Sequence, residues 1–463
     1  MSMFDSEEQS SSSRSTEIHS TWNTSTAHYT ENLYVMPPRA ESLEETMKTL
    51  LLAIPRRAIP DGRFTISRVP AFIRDAHEDL YQPRMVPIGP YHNNGEKFST
   101  MEKHKHRYLR DFLERNRQVD IDTYIDAMHS LKDHARNYYT ENISLSDDKL
   151  VQMLLFDGCF ILELALKLEN DQQDSFCLAE WDHKTLFSDL LLVENQIPFF
   201  ILEKLYAISK GINDTRESPV DSDLKSLVVN NLFVTKSSLV NGPWDGPINH
   251  LLHLYHKISL PTPEITIPSS AQRQITSRTI PSATELLHIG FQLRKQGSIN
   301  DSSVTLKFNV IKIPQLIIDS TSQTLLTNLL AFEHGLEVMN RRWTGLMVMM
   351  NCLIKNKSDY EILQDRGIVI NLLPSEDEMF QFFSQLSKQL TCDFRYHYYS
   401  DLFKKVSLKC EGMFRKNQEL IRLRDYLDDP WALIWFLSLV FTVLLSVVQA
   451  AFAVLTYYRE RSK

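Results

Sequence analysis

Apolar residues recur at three- and four-residue spacing through most of this chain, which predicts a mainly helical protein. Helices are expected over about 99–116, 120–138, 147–168, 184–209, 222–235, 247–257, 321–335, 341–355, 375–390 and 397–427. A further helix is expected from Ser42, where Ser42 and Glu45 form a capping box ahead of Met47, Leu50 and Leu51. One stretch departs from the helical period. Val304, Leu306, Phe308 and Val310 alternate with polar neighbours and 311–318 is mostly apolar, so one or two strands are expected there. A proline-rich loop runs from Pro55 to Pro90, and the polar stretches 210–223 and 259–278 read as surface loops. Residues 1–40, rich in Ser, Thr, Glu and Asn, cannot bury a core and read as a disordered extension. No internal repeat of 20–50 residues is present.

The second strong signal lies near the C-terminus. From Trp431 to Tyr458, 28 residues carry no charge, enough for a helix of about 42 Å against a hydrocarbon core of about 30 Å. Trp431 and Trp435 sit near its start and Tyr457 and Tyr458 at its finish, as amphipathic rings do at membrane interfaces. Lys and Arg are nearly balanced across the flanks, so the positive-inside rule does not orient it. The N-terminus lacks an apolar signal sequence, so the expected topology is a tail anchor with the large domain in the cytosol, most simply at the plasma membrane. Ser438, Thr442, Ser446 and Ala450 recur at i+4 and form a small-residue stripe suited to self-association within the bilayer.

The expected architecture is therefore mainly α: a soluble helical domain with a small β element, plus one C-terminal transmembrane helix. The expected divisions are an extension over 1–40, a helical body over 41–427 of one domain or two packed lobes, a span over 431–458 and a short basic tail over 459–463.

Composition narrows the function classes. The net charge of −8 comes without a long basic run, which argues against nucleic acid as a partner. Only 13 glycines occur in 463 residues, and neither G-x-G-x-x-G nor G-x-x-x-x-G-K-[ST] is found, which disfavours nucleotide-binding enzymes. Five widely spaced cysteines, Cys159, Cys177, Cys352, Cys392 and Cys410, form no C-x-x-C pair and read as reduced thiols. Four N-x-[ST] sequons are no more than this Ser and Thr content supplies by chance. No cofactor is expected.

Three constellations carry candidate chemistry. In HLLHLYH, His250 and His253 could share a helix face toward a metal, but no carboxylate is suitably spaced and surface or partly buried histidines are the plainer reading. The run EKHKHR from Glu102 to Arg107 reads as a solvated charged face. In DLLLVENQIPFFILEKL, from Asp189 to Leu205, Glu194, Asn195 and Gln196 interrupt an apolar helix just before Pro198, which is expected to kink it. Unpaired buried polar groups cost about 1–3 kcal/mol each, so a structural network is expected, with Asp157 and Glu163 as partners. The sharper alternative is a carboxylate pair for acid–base catalysis.

The same stretches carry a resemblance. VPAFIR from Val69, YQPRMVPIGPYHNNG from Tyr81, MEKHKHRYL from Met101, MLLFDGCFILEL from Met153 and the Asp189–Leu205 segment resemble, in order, the plant family called domain of unknown function 247. IPSATELLHIGFQL from Ile280, IPQLIIDSTSQTLLTNLLAFE from Ile313, GIVINLLPSEDEM from Gly367 and the segment from Asp425 through the apolar span continue it, covering about 65–457. The chain departs from the family at His106, where tryptophan is usual, at His253 and His256, where an acidic and a basic residue are usual, and at Pro87, where serine is usual. The resemblance implies a plant membrane-associated protein without established enzymatic activity, in a family whose grass members are implicated in pollen–stigma self-incompatibility. The combined expectation is a non-enzymatic recognition or signalling protein, with the bilayer and an unidentified protein as partners. The rivals are a carboxylate-dependent enzyme and a scaffold that self-associates through its membrane helix.

Overall fold

The computed structural model describes residues 66–74, 78–92, 98–170, 183–212, 220–233, 247–259, 279–296, 304–389, 397–413 and 430–461. The expected extension over 1–40, the Ser42 helix and residues 213–219 and 260–278 of the two expected loops lie outside the described residues.

The hub of the first core is α4 (Asp147–Glu169), capped by Ser146 and carrying Asp147 and Asp148 against the positive end of its dipole. Around it pack α2 (Ser99–Arg115), α3 (Ile121–Asn137), α6 (Phe199–Ser209) and α7 (Val220–Leu232). Its burial on nearly every side explains why its sequence is apolar all round. Gly158 lets α6 come close: a Cβ there would stand 2.4 Å from Leu205 Cδ1. Ahead of α2 lie a single helical turn, α1 (Ala71–Arg74), and a 3₁₀ turn at Glu78–Leu80, both inside the expected proline-rich loop.

The segment expected as one kinked helix over 184–209 is two helices, α5 (His183–Leu190) and α6, separated by irregular chain over 191–198. Pro198 is the N-cap residue of α6, with φ −59° and ψ 134°, so the helix restarts at the proline instead of bending through it.

A second apolar core follows. After α8 (Leu251–Ser259) come α9 (Ala283–Ile289) and strands β1 (Gln292–Lys295), β2 (Thr305–Lys307), β3 (Val310–Ile313) and β4 (Leu316–Ile318). Then come α10 (Ser320–Glu333), α11 (Arg342–Leu353), α12 (Lys357–Asp365), β5 (Val369–Asn371), α13 (Glu376–Gln389) and a helix α14 over 400–413. The first sheet has order β1-β3-β2, with β3 parallel to β1 and antiparallel to β2; β4 and β5 form a parallel pair. The 304–318 stretch thus yields three strands, where one or two were expected, and β1 and β5 complete the sheets from elsewhere.

Helix α10 joins the cores. Leu329 and Phe332 enter the first, joined by Leu336 just past the helix, and Leu326 and Leu330 enter the second. Between them Asn328, fully buried, donates to the carbonyls of Leu80 and Thr324, both at 2.8 Å, and accepts from Val193 N–H at 2.9 Å.

The chain ends in α15 (Pro430–Arg461), whose stretch Ile434–Tyr457 has mean hydropathy 2.3 and no burial against the rest of the chain. At 24 residues it is long and apolar enough to be a candidate membrane span. Trp435 and Tyr457 stand exposed near its ends; the side chains of Trp431 and Tyr458 lie outside the described residues. Along the small-residue stripe, Thr442 donates to Ser438 O at 2.7 Å and Ser446 to Thr442 O at 2.9 Å, so both hydroxyls are satisfied within their own helix. Ala450 continues the row one turn on.

Replacing Asn328 by Leu keeps the volume but strands Val193 N–H and Leu80 O. Denaturant unfolding is expected to show a loss of roughly 2–4 kcal/mol.

Candidate functional site

The chain over 84–89 has no secondary structure and two prolines beside it, so its backbone N–H groups need outside acceptors. The residues over 189–196 supply them. Asp189 accepts from the N–H groups of Arg84 (3.0 Å), Met85 (2.6 Å) and Val86 (2.9 Å). Asn195 accepts from Ile88 N–H at 2.6 Å and donates to Val86 O and Asp189 O, both at 2.8 Å. Gln196 donates to Leu190 O and Leu192 O at 2.8 Å and accepts from Leu252 N–H at 3.3 Å, tying α8 to the loop. Glu194 accepts from Val69 N–H at 2.7 Å and pairs with Arg74, with His92 Nε2 at 3.5 Å and Arg68 at 4.0 Å from its second oxygen.

Asp157 meets the same strap from α4. It accepts from Gly89 N–H at 2.7 Å and stands 2.6 Å from the Lys105 ammonium, which donates to Pro87 O at 2.7 Å and lies 3.0 Å from Glu102. Gly89 has φ +74°, and a Cβ there would sit 2.4 Å from Gln196 O, so the strap and the loop are in backbone contact. Tyr139 donates to that same carbonyl at 3.1 Å.

Of the five residues expected to form a network, the strap links Asp157 with Asn195 and meets the Gln196 carbonyl, whereas Glu194 holds Val69 and Arg74 ahead of the strap; all four are buried. Glu163 stands apart, gripped by Arg115 through Nε at 3.1 Å and Nη2 at 2.7 Å. The expected solvated face at EKHKHR is corrected: His104 and Lys105 are buried, because position 105 falls on the same helix stripe as Met101, Tyr108, Leu109 and Phe112. His106, in that run, packs its ring on Phe156 at 4.4 Å.

Burial pushes the Glu194 and Asp189 carboxyls upward, against the backbone N–H groups and arginines that hold the charged form. Burial also opposes the charge on Lys105, but Asp157 and Glu102 outweigh it and hold the ammonium above its ordinary range. Beside Asp157 and Lys105 opens a cavity of about 230 Å³, with Glu102, Lys149, Gln152 and Phe156 on its walls. It is small and holds both signs of charge.

The histidines expected at the surface or partly buried are fully inside. His250, His253 and His256 pack their rings on Phe332, with centroids 5.3, 5.8 and 5.4 Å away. His250 Nδ1 accepts from His253 N–H and His253 Nδ1 from Asn249 N–H, each at 3.2 Å. His256 Nε2 lies 2.6 Å from Glu333, which also accepts from Trp343 N–H (2.9 Å), Thr344 N–H (2.6 Å) and the Thr344 hydroxyl (2.7 Å). Glu333 thus caps α11. Among the described residues no three His, Cys, Asp or Glu side chains are placed to hold a metal ion. Cys159, Cys352 and Cys410 are free and buried.

Sequence reasoning missed Asp189, Lys105, Gly89, Asn328 and Glu333 as parts of this polar framework. It also missed Asp359, which accepts from Thr284 N–H at 2.8 Å and Lys355 N–H at 3.1 Å, tying α9 to α12. A signal existed for Glu203: a lone acid in the apolar run FFILEKL, its carboxyl pushed up to about 7 by burial and then by Asp221.

Two outcomes follow from this geometry. Gly89→Ala is expected to cost about 3 kcal/mol or more, because the added methyl meets Gln196 O in a left-handed turn. Burial lowers His250 to about 3 and His253 to about 2, so the fold holds both neutral. The unfolded chain protonates them near pH 6.5, so acidification below that value favours unfolding, by about 1 kcal/mol per pH unit for each ring. Thermal melts of the detergent-solubilised chain should lose stability below pH 6.5, and His250→Gln with His253→Gln should flatten that limb.

Known proteins place this framework in a family. A UPF0481 protein of Arabidopsis thaliana is 29% identical over 425 residues, spanning 86% of this chain and 87% of the relative. A second, putative UPF0481 protein of the same plant is 20% identical, spanning 87% of this chain and 92% of its own length. No solved structure matches the chain. The profile of DUF247, described as a plant protein of unknown function, matches residues 66–445, a range that runs from the strap through both cores into the candidate span, and the chain belongs to that family.

Proposed function

We propose that this chain is a single-pass, membrane-anchored protein whose helical body faces the cytosol and acts by recognition or signalling through other proteins, without catalysis. The observation that carries the reading is the state of its buried carboxylates. Asp157, Glu163, Asp189, Glu194, Glu333 and Asp359 are each engaged by backbone N–H groups, a lysine or an arginine, which suits holding chain segments and leaves little freedom to move protons for a substrate. The exposed apolar helix supports anchoring. Recognition between pollen and stigma is a narrower form of this reading, and it requires the protein in one of those tissues.

One observation favours the enzymatic rival: Asp157 and Lys105 meet at the floor of a cavity. Glu194→Gln and Asp157→Asn separate the two. A structural role predicts variants with unfolding midpoints lowered by several degrees and partner crosslinking lost only as the fold is lost. A stable variant that loses a turnover present in the parent would overturn the proposal. For the anchor, alkaline carbonate should leave the full chain in the membrane and release a chain ending before Pro430; protease added to the cytosolic side should digest the body.

A further inference from the structure

The first sheet has an inner and an outer face. Leu293, Ile311 and Ile313 point into the second core, so the alternate positions point outward. The register sets Arg294 opposite Lys312 across β1 and β3, with Thr305 opposite Lys312 and Lys307 opposite Val310 across β3 and β2. Three cations therefore share one face, Lys295 is exposed at the end of β1, and the three strands contain no acidic residue. Among the described residues none of Arg294, Lys307 or Lys312 makes an ion pair. Like charges directly across a ladder repel.

At the tip of this face is Phe308. It is 89% exposed, more than any other exposed large hydrophobic side chain among the described residues, those of α15 included. Its φ of 53° puts a bulky residue where a tight hairpin ordinarily takes glycine. Such strain is retained where the surroundings enforce it. Here Lys409 of α14 donates to Phe308 O, and Leu408 beside it is also exposed. Helix α14 is the element that leads to the candidate span. Only 16 residues separate residue 413 from Pro430, a reach of at most about 58 Å even fully extended.

We propose that this basic face and its aromatic tip form a second membrane contact, lying on anionic lipid headgroups beside the C-terminal span. The proposal rests on the anchored, cytosol-facing reading above. Cations without acidic partners meet the negative cytoplasmic leaflet, Phe308 enters the interfacial layer, and Lys409 couples the tip to the helix that precedes the anchor in the chain.

The test uses the full chain in vesicles of phosphatidylcholine, with or without phosphatidylserine, and follows amide exchange over 305–310. Exchange should slow on the phosphatidylserine vesicles only. Arg294→Gln, Lys307→Gln and Lys312→Gln should each reduce the docked-to-free ratio about fivefold. Phe308→Gly, which relieves the backbone and so keeps the fold, should also lose the slowing. Equal exchange on both vesicles, with the chain still resistant to carbonate, overturns the docking and leaves the anchor standing. Release by carbonate overturns the anchor reading instead, whatever the exchange shows. Slowing by an oligonucleotide or an acidic protein, without slowing by phosphatidylserine, assigns the face to that partner and overturns the lipid proposal.

Discussion

A buried backbone N–H must find an acceptor, and this requirement organises the first core. The strap over 84–89 cannot satisfy itself: it forms neither helix nor strand, and Pro87 and Pro90 keep it from doing so. The loop over 189–196 cannot satisfy itself either, because Pro198 ends any helix that would run through it. Each answers the other. Asp189 and Asn195 take the strap's N–H groups, Asn195 returns a donor to Val86 O, and Gly89 permits the contact with Gln196 O. Since an unpaired buried group costs about 1–3 kcal/mol, neither segment can shift alone. The helices around α4 are then positioned by polar geometry as much as by apolar packing.

The second core uses the same device at helix starts. Glu333 caps α11 and Asp359 joins α9 to α12, each carboxylate set where backbone N–H groups and a helix dipole favour its charge. His256 and Arg342 close on Glu333 and the α8 backbone, so the histidine segment is fastened to the junction between the cores. Asn328 does the corresponding work in the middle of α10. A body so cross-tied is a stiff platform.

Much of the helical body was legible because its apolar period is long and unbroken. Helices α2, α3, α4, α11 and α13 fall within a few residues of expectation for that reason. The elements that escaped are short. Helix α9 has seven residues and a Ser282–Glu285 capping box that could have flagged it; β1 and β5 have four and three, too few to show alternation. The polar triplet Glu194-Asn195-Gln196 stood out because polar groups in an apolar run need partners, and those residues do lie buried. Glu163 did not join them. A carboxylate takes the nearest well-placed cation, and α2 sets Arg115 at that point.

The sequence by itself determined the period of the helices, the apolar stretch of α15 and the need for partners at 194–196, because each depends on neighbours a few residues apart. The tertiary structure decided which groups meet. Whether Lys105 faced water or Asp157, whether the histidines lay outside or around Phe332, and whether Arg294, Lys307 and Lys312 shared a face all depend on register and packing between distant segments. Local spacing carries no record of those, because the energies that fix them arise only when the segments are brought together.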